Sequence, residues 1–582
     1  MKKKFVQIAA LCLAAGLLLG TGGGTASAAS ANSDSHIIRV GLHYGTGAME
    51  GLNLENETGA GFRFGYYDGS NRFVLLGSTA QKAVSVVKTM NVYYGAYNGY
   101  TSYHSALTAS SVAVGEYHLQ LPGSYSSFDQ AQADALQHSD GFVAYIGGVY
   151  YARIGNYTTR DKAVSAQNDF AARGVSTELK GTSAYGVSVV VTGTNTIVFQ
   201  YDDEGKGTGL GVEPDASGSG EYTTLSKSLL YPGGFRFERI GGGNMTVVNM
   251  VEFEDYVEGV VATEMSNSWP VEALKAQAVA ARSYAITLGS KHSAHHFDIC
   301  DDVDCQAYTG QSRTGSNTRA AVEQTAGQVC LYDGKVAQTV YYASNGGASE
   351  SSSTVWGSPQ SAYPYLVGKV DPYEAASGVN NDYTKTVSSD TLVTGLKKKG
   401  YNAVGSSIVL IEVASLTDSG NPKQVTFTDN NGKKFTLDTL YVVRDIVGLR
   451  SYRYGFETVD QQPSAPGVSV NGSAPVDSAS GLYTIDGSGN IAPVAGDVYV
   501  LTGSGTVQLG QGGTGDGSTS DRGGLGSLSS TTGNNGWFTF IGKGWGHNVG
   551  MSQWGAYAMA QQKYTYIQIL QFYYTGVTVG FM

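Results

Sequence analysis

The chain has 582 residues, more than one hydrophobic core of ordinary size needs, so we expect two or three folding units. Its formal net charge is −11, which argues against a nucleic-acid-binding protein, because such a protein presents a basic face to phosphate groups. Only 15% of the residues are charged, whereas there are 80 glycines and 39 tyrosines, a composition typical of a strand-rich and loop-rich extracellular protein.

The N-terminus has the three parts of a secretory signal peptide. Lys2 to Lys4 are positive, residues 5–20 are mainly apolar, and Ala26-Ser27-Ala28 has the small-x-small pattern of a cleavage site. The alternative is a membrane anchor, but the apolar run is shorter than the ~20 residues that span a bilayer. We therefore predict a signal peptide at residues 1–28 and a protein that is secreted or associated with the cell wall.

Residues 29–110 are predicted to form a β-rich N-terminal segment. Ile38, Val40 and Leu42 alternate with polar or small residues in "HIIRVGLHYG", which is the period of a strand. Short strands rich in tyrosine and glycine follow.

Residues 113–192 have the pattern strand-helix-strand-strand-helix-strand. "EYHLQLPGSYSS" opens it, "FDQAQADALQH" and the segment around "RDKAVSAQNDFAARG" are the helices, and "AYGVSVVVT" is the predicted closing strand. This order predicts a ferredoxin-like βαββαβ domain.

The same segment resembles the SPOR (sporulation-related) repeat domain, and the resemblance implies binding to peptidoglycan glycan strands that lack stem peptides. The alternative is a ferredoxin-like module with only a structural role. Six residues match the positions of the family pattern and are candidate glycan-binding residues: Gln120, Ser124, Tyr125, Tyr151, Arg153 and Tyr157.

Residues 195–582 are predicted to form the largest domain, with a flexible Gly/Ser-rich insertion at about 510–535. An alanine-rich helix is expected from about Pro270 to Leu288. Glu264 lies before it, after an apolar, strand-like run, where Met265 and Trp269 would desolvate its carboxyl group and raise the pKa. The alternatives are a helix-capping or salt-bridged glutamate, while Glu254, Asp255 and Glu258 are expected to be surface acids.

Several motifs follow one another in the order of the stage II sporulation protein D / amidase enhancer family. They are "VEFEDYVEGVVATEMSNSWPVEALKAQAVAARSYAI", "DICDDVDCQAYTG", "YYASNGGASESSSTVWG", "PYLVGKVDP" and "GKGWGHNVGMSQWGAYAMA". The chain resembles that family over residues 240–582. The resemblance implies an α+β, strand-rich catalytic region in which Glu264 is the acid/base of a lytic transglycosylase.

Other residues at matching positions are candidates for substrate binding. Lys275 and Arg282 are expected to bind substrate or to hold Glu264, and the alternative for each is a structural ion pair. The family often has a histidine near the position of Tyr342, so this chain departs from the family pattern there. The candidate substrate-binding residues are Lys275, Gln277, Arg282, Tyr341, Ser344, His547, Ser552, Gln553 and Trp554.

The segment "HSAHHFDICDDVDCQ" groups three histidines with two cysteines. Family members with a histidine and two cysteines here imply a structural zinc at His296, Cys300 and Cys305. A Cys300–Cys305 disulfide and reduced, unliganded cysteines are the alternatives. Many family members have a histidine where this chain has Asp304.

The reading that unites these features is a secreted protein that binds and cleaves glycan strands without a required cofactor. A lytic transglycosylase needs a single carboxyl group, because the C6 hydroxyl of the substrate replaces water as the nucleophile. The alternative is a non-catalytic peptidoglycan binder that recruits or stimulates an N-acetylmuramoyl-L-alanine amidase. Peptidoglycan glycan strands, and in the second case an amidase, are the expected partners.

Overall fold

The computed structural model describes residues 36–456 and 529–582, except for residues 98, 109–110, 182, 216–221, 226–228 and 439, together with four short strands between residues 483 and 509. The predicted signal peptide and most of the predicted insertion, at 510–528, lie outside the described residues. The described chain forms two compact units, one from residues 36–353, 357–380 and 545–582, and one from residues 354–356 and 381–544. The fold is mixed α+β and strand-rich, as predicted.

The first half of the first unit is built mainly from strands. Ile38, Val40 and Leu42 are buried in the first of them, which confirms the predicted strand. In chain order the strands and the two helices among them are β1 (Ile37–His43), β2 (Gly51–Glu55), β3 (Phe62–Tyr67), β4 (Phe73–Thr79), β5 (Ala83–Lys88), β6 (Val92–Tyr97), β7 (Tyr100–His104), β8 (Val112–Val114), β9 (Tyr117–Gln120), α1 (Phe128–Ala135), β10 (Gly141–Ile146), β11 (Val149–Tyr157), α2 (Arg160–Ala172), β12 (Glu178–Lys180), β13 (Val187–Val191), β14 (Ile197–Asp202), β15 (Leu210–Pro214), β16 (Tyr222–Leu225), β17 (Leu229–Pro232), β18 (Gly234–Glu238) and β19 (Thr246–Glu252).

Each of the two large sheets combines strands from more than one of the predicted segments. A ten-stranded sheet has the order β12-β9-β11-β10-β14-β13-β5-β2-β16-β17, and β7-β6-β8 forms a small separate sheet. The N-terminal segment thus contributes β2 and β5 to the ten-stranded sheet, which also contains the strands β9 to β14 from residues 117–202. It contributes β1, β3 and β4 to a sheet with β15, β18 and β19. Strand partners so distant in sequence leave no trace in local periodicity.

The segment 113–192 supplies four neighbouring antiparallel strands in the order β12-β9-β11-β10, with α1 and α2 between them in sequence. The fourth strand is Glu178–Lys180. The predicted closing strand, "AYGVSVVVT", does contain a strand, β13, but β13 pairs with β14 and β5 and does not close this group of four.

The predicted glycan-binding residues of this segment do not form an exposed surface. Arg153 and Gln120 are each 8% exposed, and the Arg153 guanidinium donates hydrogen bonds to Gln120 Oε1 and Gln200 Oε1. Burial lowers the pKa of Arg153 to about 10. Arg153 and Gln120 therefore belong to a buried polar network, and their assignment to a glycan-binding surface was wrong.

The other four residues of that set are scattered. Tyr151 packs against the core beside Phe142 and Tyr103, whereas Tyr157 packs on the helix-covered side of the sheet. Tyr125 donates a hydrogen bond to Asp134, and Ser124 alone is exposed.

The chain then enters the helical part of the first unit. The elements here are α3 (Phe253–Glu264), α4 (Val271–Leu288), β20 (Ile299–Cys300), α5 (Ser316–Glu323), β21 (Gln328–Tyr332), β22 (Lys335–Val336) and β23 (Tyr341–Tyr342). The next helix, α6 (Ser352–Trp356), has its last three residues in the second unit. The run before Glu264 is helical, not strand-like. Tyr256, Val257, Val260 and Val261 are buried at helical spacing, and a short apolar run does not by itself distinguish a strand from a helix.

The second unit has its own hydrophobic core. Val387, Leu392 and Leu396 pack with Phe427 and Phe540 in it. Its elements are β24 (Asp382–Ser388), α7 (Ser389–Lys398), β25 (Ile408–Leu416), β26 (Pro422–Asp429), β27 (Lys434–Leu437), α8 (Leu440–Val447), β28 (Arg453–Phe456), β29 (Tyr483–Ile485), β30 (Ile491–Pro493), β31 (Val498–Thr502), β32 (Gly505–Leu509), β33 (Ser530–Thr531) and β34 (Trp537–Lys543). Because β33 pairs with β25, the predicted flexible insertion extends too far at its C-terminal end.

The C-terminal segment completes the first unit with β35 (Met551–Ser552), α9 (Gln553–Gln561), α10 (Tyr566–Tyr573) and β36 (Thr578–Phe581). Strand β35 pairs in parallel with β23, and β36 pairs with β21. None of the helices in the described part of the chain combines enough length with enough apolar character to cross a bilayer.

The buried network around Arg153 leads to a stability prediction. Arg153→Leu leaves the side-chain oxygens of Gln120 and Gln200 without a donor, which costs roughly 1–3 kcal/mol for each group. We expect a loss of about 2–5 kcal/mol in the free energy of unfolding, measured by chemical denaturation. Ser124→Ala is the matched control and should change it by less than about 0.5 kcal/mol. An Arg153→Leu variant as stable as the wild type would contradict the structural role.

Candidate active site

Glu264 is the last residue of α3, and the chain turns into extended conformation at Met265. Its side chain is partly accessible, and Gln553 Nε2 donates a hydrogen bond of 3.0 Å to Glu264 Oε2. Burial raises the pKa of the Glu264 carboxyl, while hydrogen bonds from Gln553 and from the backbone N–H of Ala307 oppose the shift. The net pKa is raised, so this carboxyl keeps its proton to a higher pH than an exposed glutamate.

Gln553 reaches Glu264 because two short strands lie side by side. Tyr341 pairs with Met551 and Tyr342 with Ser552 in the parallel pair β23–β35. Ser552 then caps α9 by accepting a hydrogen bond from the backbone N–H of Gly555, and Gln553 is the first residue of that helix. The side chain of Gln553 is therefore fixed by both a strand and a helix end.

A buried carboxylate, Glu374, ties the ends of these strands together. The hydroxyl groups of Ser344 and Ser552 each donate to it at 2.5 Å, and the backbone N–H groups of Asn345 and Gly346 donate at 2.8 and 2.9 Å. Burial raises the pKa of Glu374, and these four hydrogen bonds oppose the shift. Ser344 and Ser552 are fully buried, so the structure places them in the framework under the site and not at its surface.

His547 and Tyr341 continue this framework. The backbone N–H of Val549 donates to His547 Nδ1 at 3.2 Å, so Nε2 carries the proton and donates to the Tyr341 carbonyl at 3.0 Å. The Tyr341 hydroxyl donates to Gln306 Oε1, and its pKa is raised by burial and by the nearby charge of Glu264. Tyr341 therefore borders Glu264, while His547 supports the backbone of Tyr341.

An aromatic cluster lies beside Gln553. The ring centroids of Trp269 and Trp554 are 4.7 Å apart, and Tyr557 lies 5.1 Å from Trp269 and 5.4 Å from Trp554. All three side chains are partly exposed. Sequence reasoning assigned Trp554 to substrate binding and Trp269 only to the desolvation of Glu264, and it missed Tyr557. The spacing of Trp554 and Tyr557, three residues apart on one helix, was the available signal.

The two basic residues of α4 do not hold Glu264. Arg282 is 1% exposed, and its guanidinium binds both oxygens of Glu254 at 2.6 and 2.8 Å. Lys275 Nζ lies 2.8 Å from Glu272 Oε1 and over the ring of Tyr566. Arg282 and Lys275 therefore both fit the alternative, a structural ion pair. Glu254 is the partner of Arg282 in one of these pairs.

Two further residues of this segment are more buried than expected. Glu258 is 7% exposed, lies 3.6 Å from the Arg319 guanidinium, and has a pKa raised mainly by burial, so its prediction as a surface acid was wrong. Gln277 is fully buried, and among the described residues neither atom of its amide has a hydrogen-bond partner. Gln277 therefore does not reach the surface to contact a substrate.

A group of possible metal ligands forms at β20, but not with the predicted histidine. One ligand atom from each of His292, Cys300, Asp304 and Cys305 lies within 4.8 Å of all the others. His292 Nε2 is 3.3 Å from Cys305 Sγ and 3.4 Å from Asp304 Oδ2. Cys300 and Cys305 are free thiols, not a disulfide.

His296 is directed elsewhere. Its Nδ1 lies 2.7 Å from Glu238 Oε1, and its backbone is left-handed, with φ of 63°. The prediction of His296 as a metal ligand was wrong, because the turn at residues 293–296 separates it from the cysteines. Asp304, at the position where the sequence departs from the family pattern, supplies a carboxylate to the cluster instead.

The structural role of Arg282 is testable against Lys275. Arg282→Met removes the cation beside the partly exposed Glu254 and a donor to the Gln328 carbonyl, so we expect a loss of about 1.5–3 kcal/mol in the free energy of unfolding. Lys275→Met breaks a pair nearer to solvent and should cost about 1 kcal/mol. An Arg282→Met variant that keeps full stability would contradict this structural role.

Comparison with known proteins supports the family resemblance found in the sequence motifs. Residues 241–332 match the family model described as stage II sporulation protein. The chain is 31% identical over 324 residues to the amidase enhancer of Bacillus subtilis, covering 56% of this chain and 40% of that protein. It is 25% identical over 349 residues to stage II sporulation protein D of Bacillus amyloliquefaciens, covering 57% of this chain and 75% of that protein. Through this shared region the chain is similar to stage II sporulation protein D and to the amidase enhancer, and residues 241–332 are the part that matches the family model.

Proposed function

We propose that the protein binds peptidoglycan glycan strands lacking stem peptides and cleaves them as a lytic transglycosylase. The observation that carries this proposal is the carboxyl of Glu264, whose pKa is raised by burial and which is held by Gln553 next to partly exposed aromatic rings. A raised pKa favours a general acid, because a larger fraction of the group carries the proton that it must donate.

In the proposed reaction Glu264 acts first as an acid and then as a base. It donates its proton to the glycosidic oxygen as the bond from C1 of N-acetylmuramic acid to O4 of N-acetylglucosamine breaks. The C6 hydroxyl of the same muramic acid then bonds to C1 and returns a proton to Glu264. The product has a 1,6-anhydro-muramoyl end, no water is consumed, and one carboxyl group is sufficient.

The aromatic cluster supplies the proposed binding surface for the glycan. Trp269, Trp554 and Tyr557 offer apolar faces to the C–H faces of sugar rings while their polar edges remain hydrated. Glycan binding is assigned to this surface and not to Gln120 and Arg153, which are buried. The SPOR-like segment enters the proposal as part of the supporting β-structure.

The names of the relatives support a sporulation-related role at the cell wall, and we propose export to that compartment. The name amidase enhancer favours a second candidate function, in which the protein binds glycan strands without cleaving them and stimulates an amidase. In that case the surface around Glu264 would recognise the strand only.

Product analysis tests the proposed reaction. Denuded glycan strands are digested with the protein, and the ends are identified by mass spectrometry. We expect 1,6-anhydro-muramoyl ends from the wild type and a loss of at least about 100-fold for Glu264→Gln, since general acid–base catalysis contributes roughly 10²–10⁴-fold. Glu272→Gln, which affects a nearby ion pair outside the site, is the matched control and should keep its activity.

The pH dependence gives an internal check on the same reaction. The Gln553 hydrogen bond lowers the pKa of Glu264, so Gln553→Leu should raise it further. The acid form then persists to higher pH, and the alkaline limb of the rate profile should move to higher pH.

Equal amounts of product from Glu264→Gln and the wild type would contradict the proposed mechanism. Strand binding without cleavage, together with faster amidase action, would favour the second candidate function.

We also propose a structural zinc ion held by His292, Cys300, Asp304 and Cys305. Zinc bonds of about 2.3 Å to sulfur and 2.0–2.1 Å to nitrogen set ligand atoms roughly 3.3–3.8 Å apart, close to the separations of His292 Nε2 from its two neighbours. Sulfur, imidazole and carboxylate are donors that zinc accepts. Four protein ligands leave no open position, so the metal would fasten the loop to β20 and take no part in cleavage.

Metal analysis distinguishes this ligand set from the set predicted from the sequence, which has His296 in place of His292. The purified protein should contain one zinc per chain, measured by mass spectrometry of the metal, and Cys305→Ser or His292→Ala should lose most of it. His296→Ala should retain it, because His296 binds Glu238 instead. Metal loss from His296→Ala but not from His292→Ala would contradict this ligand set.

A further inference from the structure

A buried polar side chain, Gln306, lies in the loop between β20 and α5, next to a contact of Glu264. It is 2% exposed and comes directly before Ala307, whose backbone N–H donates a hydrogen bond to the Glu264 carboxyl. The position of that N–H depends on the peptide that joins residues 306 and 307. Whatever fixes Gln306 therefore also affects a contact of the proposed acid.

The amide of Gln306 joins three elements around Glu264. Its Nε2 donates to the Tyr256 hydroxyl of α3 at 3.0 Å and to the Ala281 carbonyl of α4 at 3.3 Å. Its Oε1 accepts from the Tyr341 hydroxyl of β23 at 2.8 Å. Because Glu264 is the last residue of α3, the amide fastens the loop to the helix that carries the acid.

The partners of this amide also fix its orientation. A backbone carbonyl only accepts hydrogen bonds, so the end of the side chain that meets the Ala281 carbonyl is the amide nitrogen. The other end is then the oxygen, and the Tyr341 hydroxyl donates to it. Burial raises the pKa of Tyr256 and Tyr341 well above its ordinary value, so both hydroxyls keep their protons at neutral pH. The network thus keeps one hydrogen-bond pattern while Glu264 gains and loses a proton.

Glu264 itself is held by two neutral donors from different parts of the chain. Gln553 Nε2 comes from α9, and the N–H of Ala307 comes from the loop of Gln306. Both hydrogen bonds favour the ionised carboxylate, whereas burial disfavours it. Helix α9 carries no charged residue, and the basic residues of α4 pair with other acids. The two donors are therefore the contacts that oppose burial.

We propose that Gln306 is a positioning residue for Glu264, which acts by holding the backbone N–H of Ala307 against the carboxyl. The inference rests on the proposed acid/base role of Glu264. After the proton has passed to the glycosidic oxygen, the two donors stabilise the carboxylate that remains. The same carboxylate must then receive the proton of the C6 hydroxyl, and a group held by two donors keeps its orientation for that second step.

Gln306→Met tests this role, because methionine is a flexible side chain that supplies neither a donor nor a strong acceptor. Gln311→Met is the matched control: Gln311 lies in the same loop, is 8% exposed, and accepts a hydrogen bond from the Tyr222 hydroxyl of β16 at 2.8 Å. We expect anhydro-muramoyl product to form at least about tenfold more slowly in Gln306→Met and within about twofold of the wild-type rate in Gln311→Met, since misplacing a catalytic group by about 1 Å can cost roughly 10²-fold.

Titration of the Glu264 carboxyl separates this proposal from cleavage. It is followed without substrate by carbon-13 NMR, and the resonance is assigned by its loss in Glu264→Gln. Loss of the Ala307 donor disfavours the carboxylate, so Gln306→Met should move the titration, and the alkaline limb of the rate profile, to higher pH. Gln311→Met should leave both unchanged.

Tyr341→Phe provides a milder variant. It removes one of the three hydrogen bonds of Gln306, so the titration should move in the same direction by a smaller amount. This variant keeps the test decisive if thermal unfolding shows that Gln306→Met does not fold.

Equal titrations of Glu264 in Gln306→Met and Gln311→Met, or a shift to lower pH in Gln306→Met, would overturn the positioning role. So would a loss of product that follows loss of zinc from Gln306→Met, because Cys305 is the preceding residue. A wild type that forms no anhydro-muramoyl ends contradicts the cleavage reaction, whereas the titration still shows whether Gln306 acts on Glu264.

Discussion

The candidate active site depends on one hydrogen bond between residues that are 289 positions apart, from Gln553 Nε2 to Glu264 Oε2. The two residues meet because the chain returns to the first unit after residue 544 and places β35 beside β23. Glu374 fixes this return, since its carboxylate binds Ser552, the residue before Gln553, and also Ser344 after β23. A buried acid outside the reaction thus determines where the amide of Gln553 lies, and the amide in turn positions Glu264.

The ordered motifs identified Glu264 and Gln553, but not the roles of the residues between them. Periodicity placed α4 well, because alanines and a proline at its start are local signals. The conformation before Glu264 could not be read in this way, since a short run of valines suits a strand or a buried helix equally well. The partner of Arg282 was also hidden: Glu254 lies 28 residues earlier, and only the packing of α3 against α4 brings the pair together.

Local sequence patterns were also insufficient for the segment 113–192 and for the cysteine cluster. A local pattern gave the order of strands and helices near Arg153, yet whether its side chain faces solvent depends on strands from residues 83–114 and 187–202. At the cysteines, spacing identified Cys300 and Cys305 and left three histidines to choose from. A turn with a left-handed residue directs His296 toward Glu238 and leaves His292 beside the thiols, and such a turn is not visible in spacing alone.

The distribution of positive charge on α4 explains why Glu264 suits acid chemistry. A cation beside a carboxylate stabilises the ionised form and lowers the pKa, so an Arg282 held against Glu264 would have worked against proton donation. In the structure Arg282 pairs with Glu254, and Lys275 pairs with Glu272. The hydrogen bonds that act on Glu264 come from neutral amides, and burial outweighs them. Because the basic residues of α4 pair with other acids, burial has the largest effect on the pKa of Glu264, which favours the protonated form that the proposed cleavage requires.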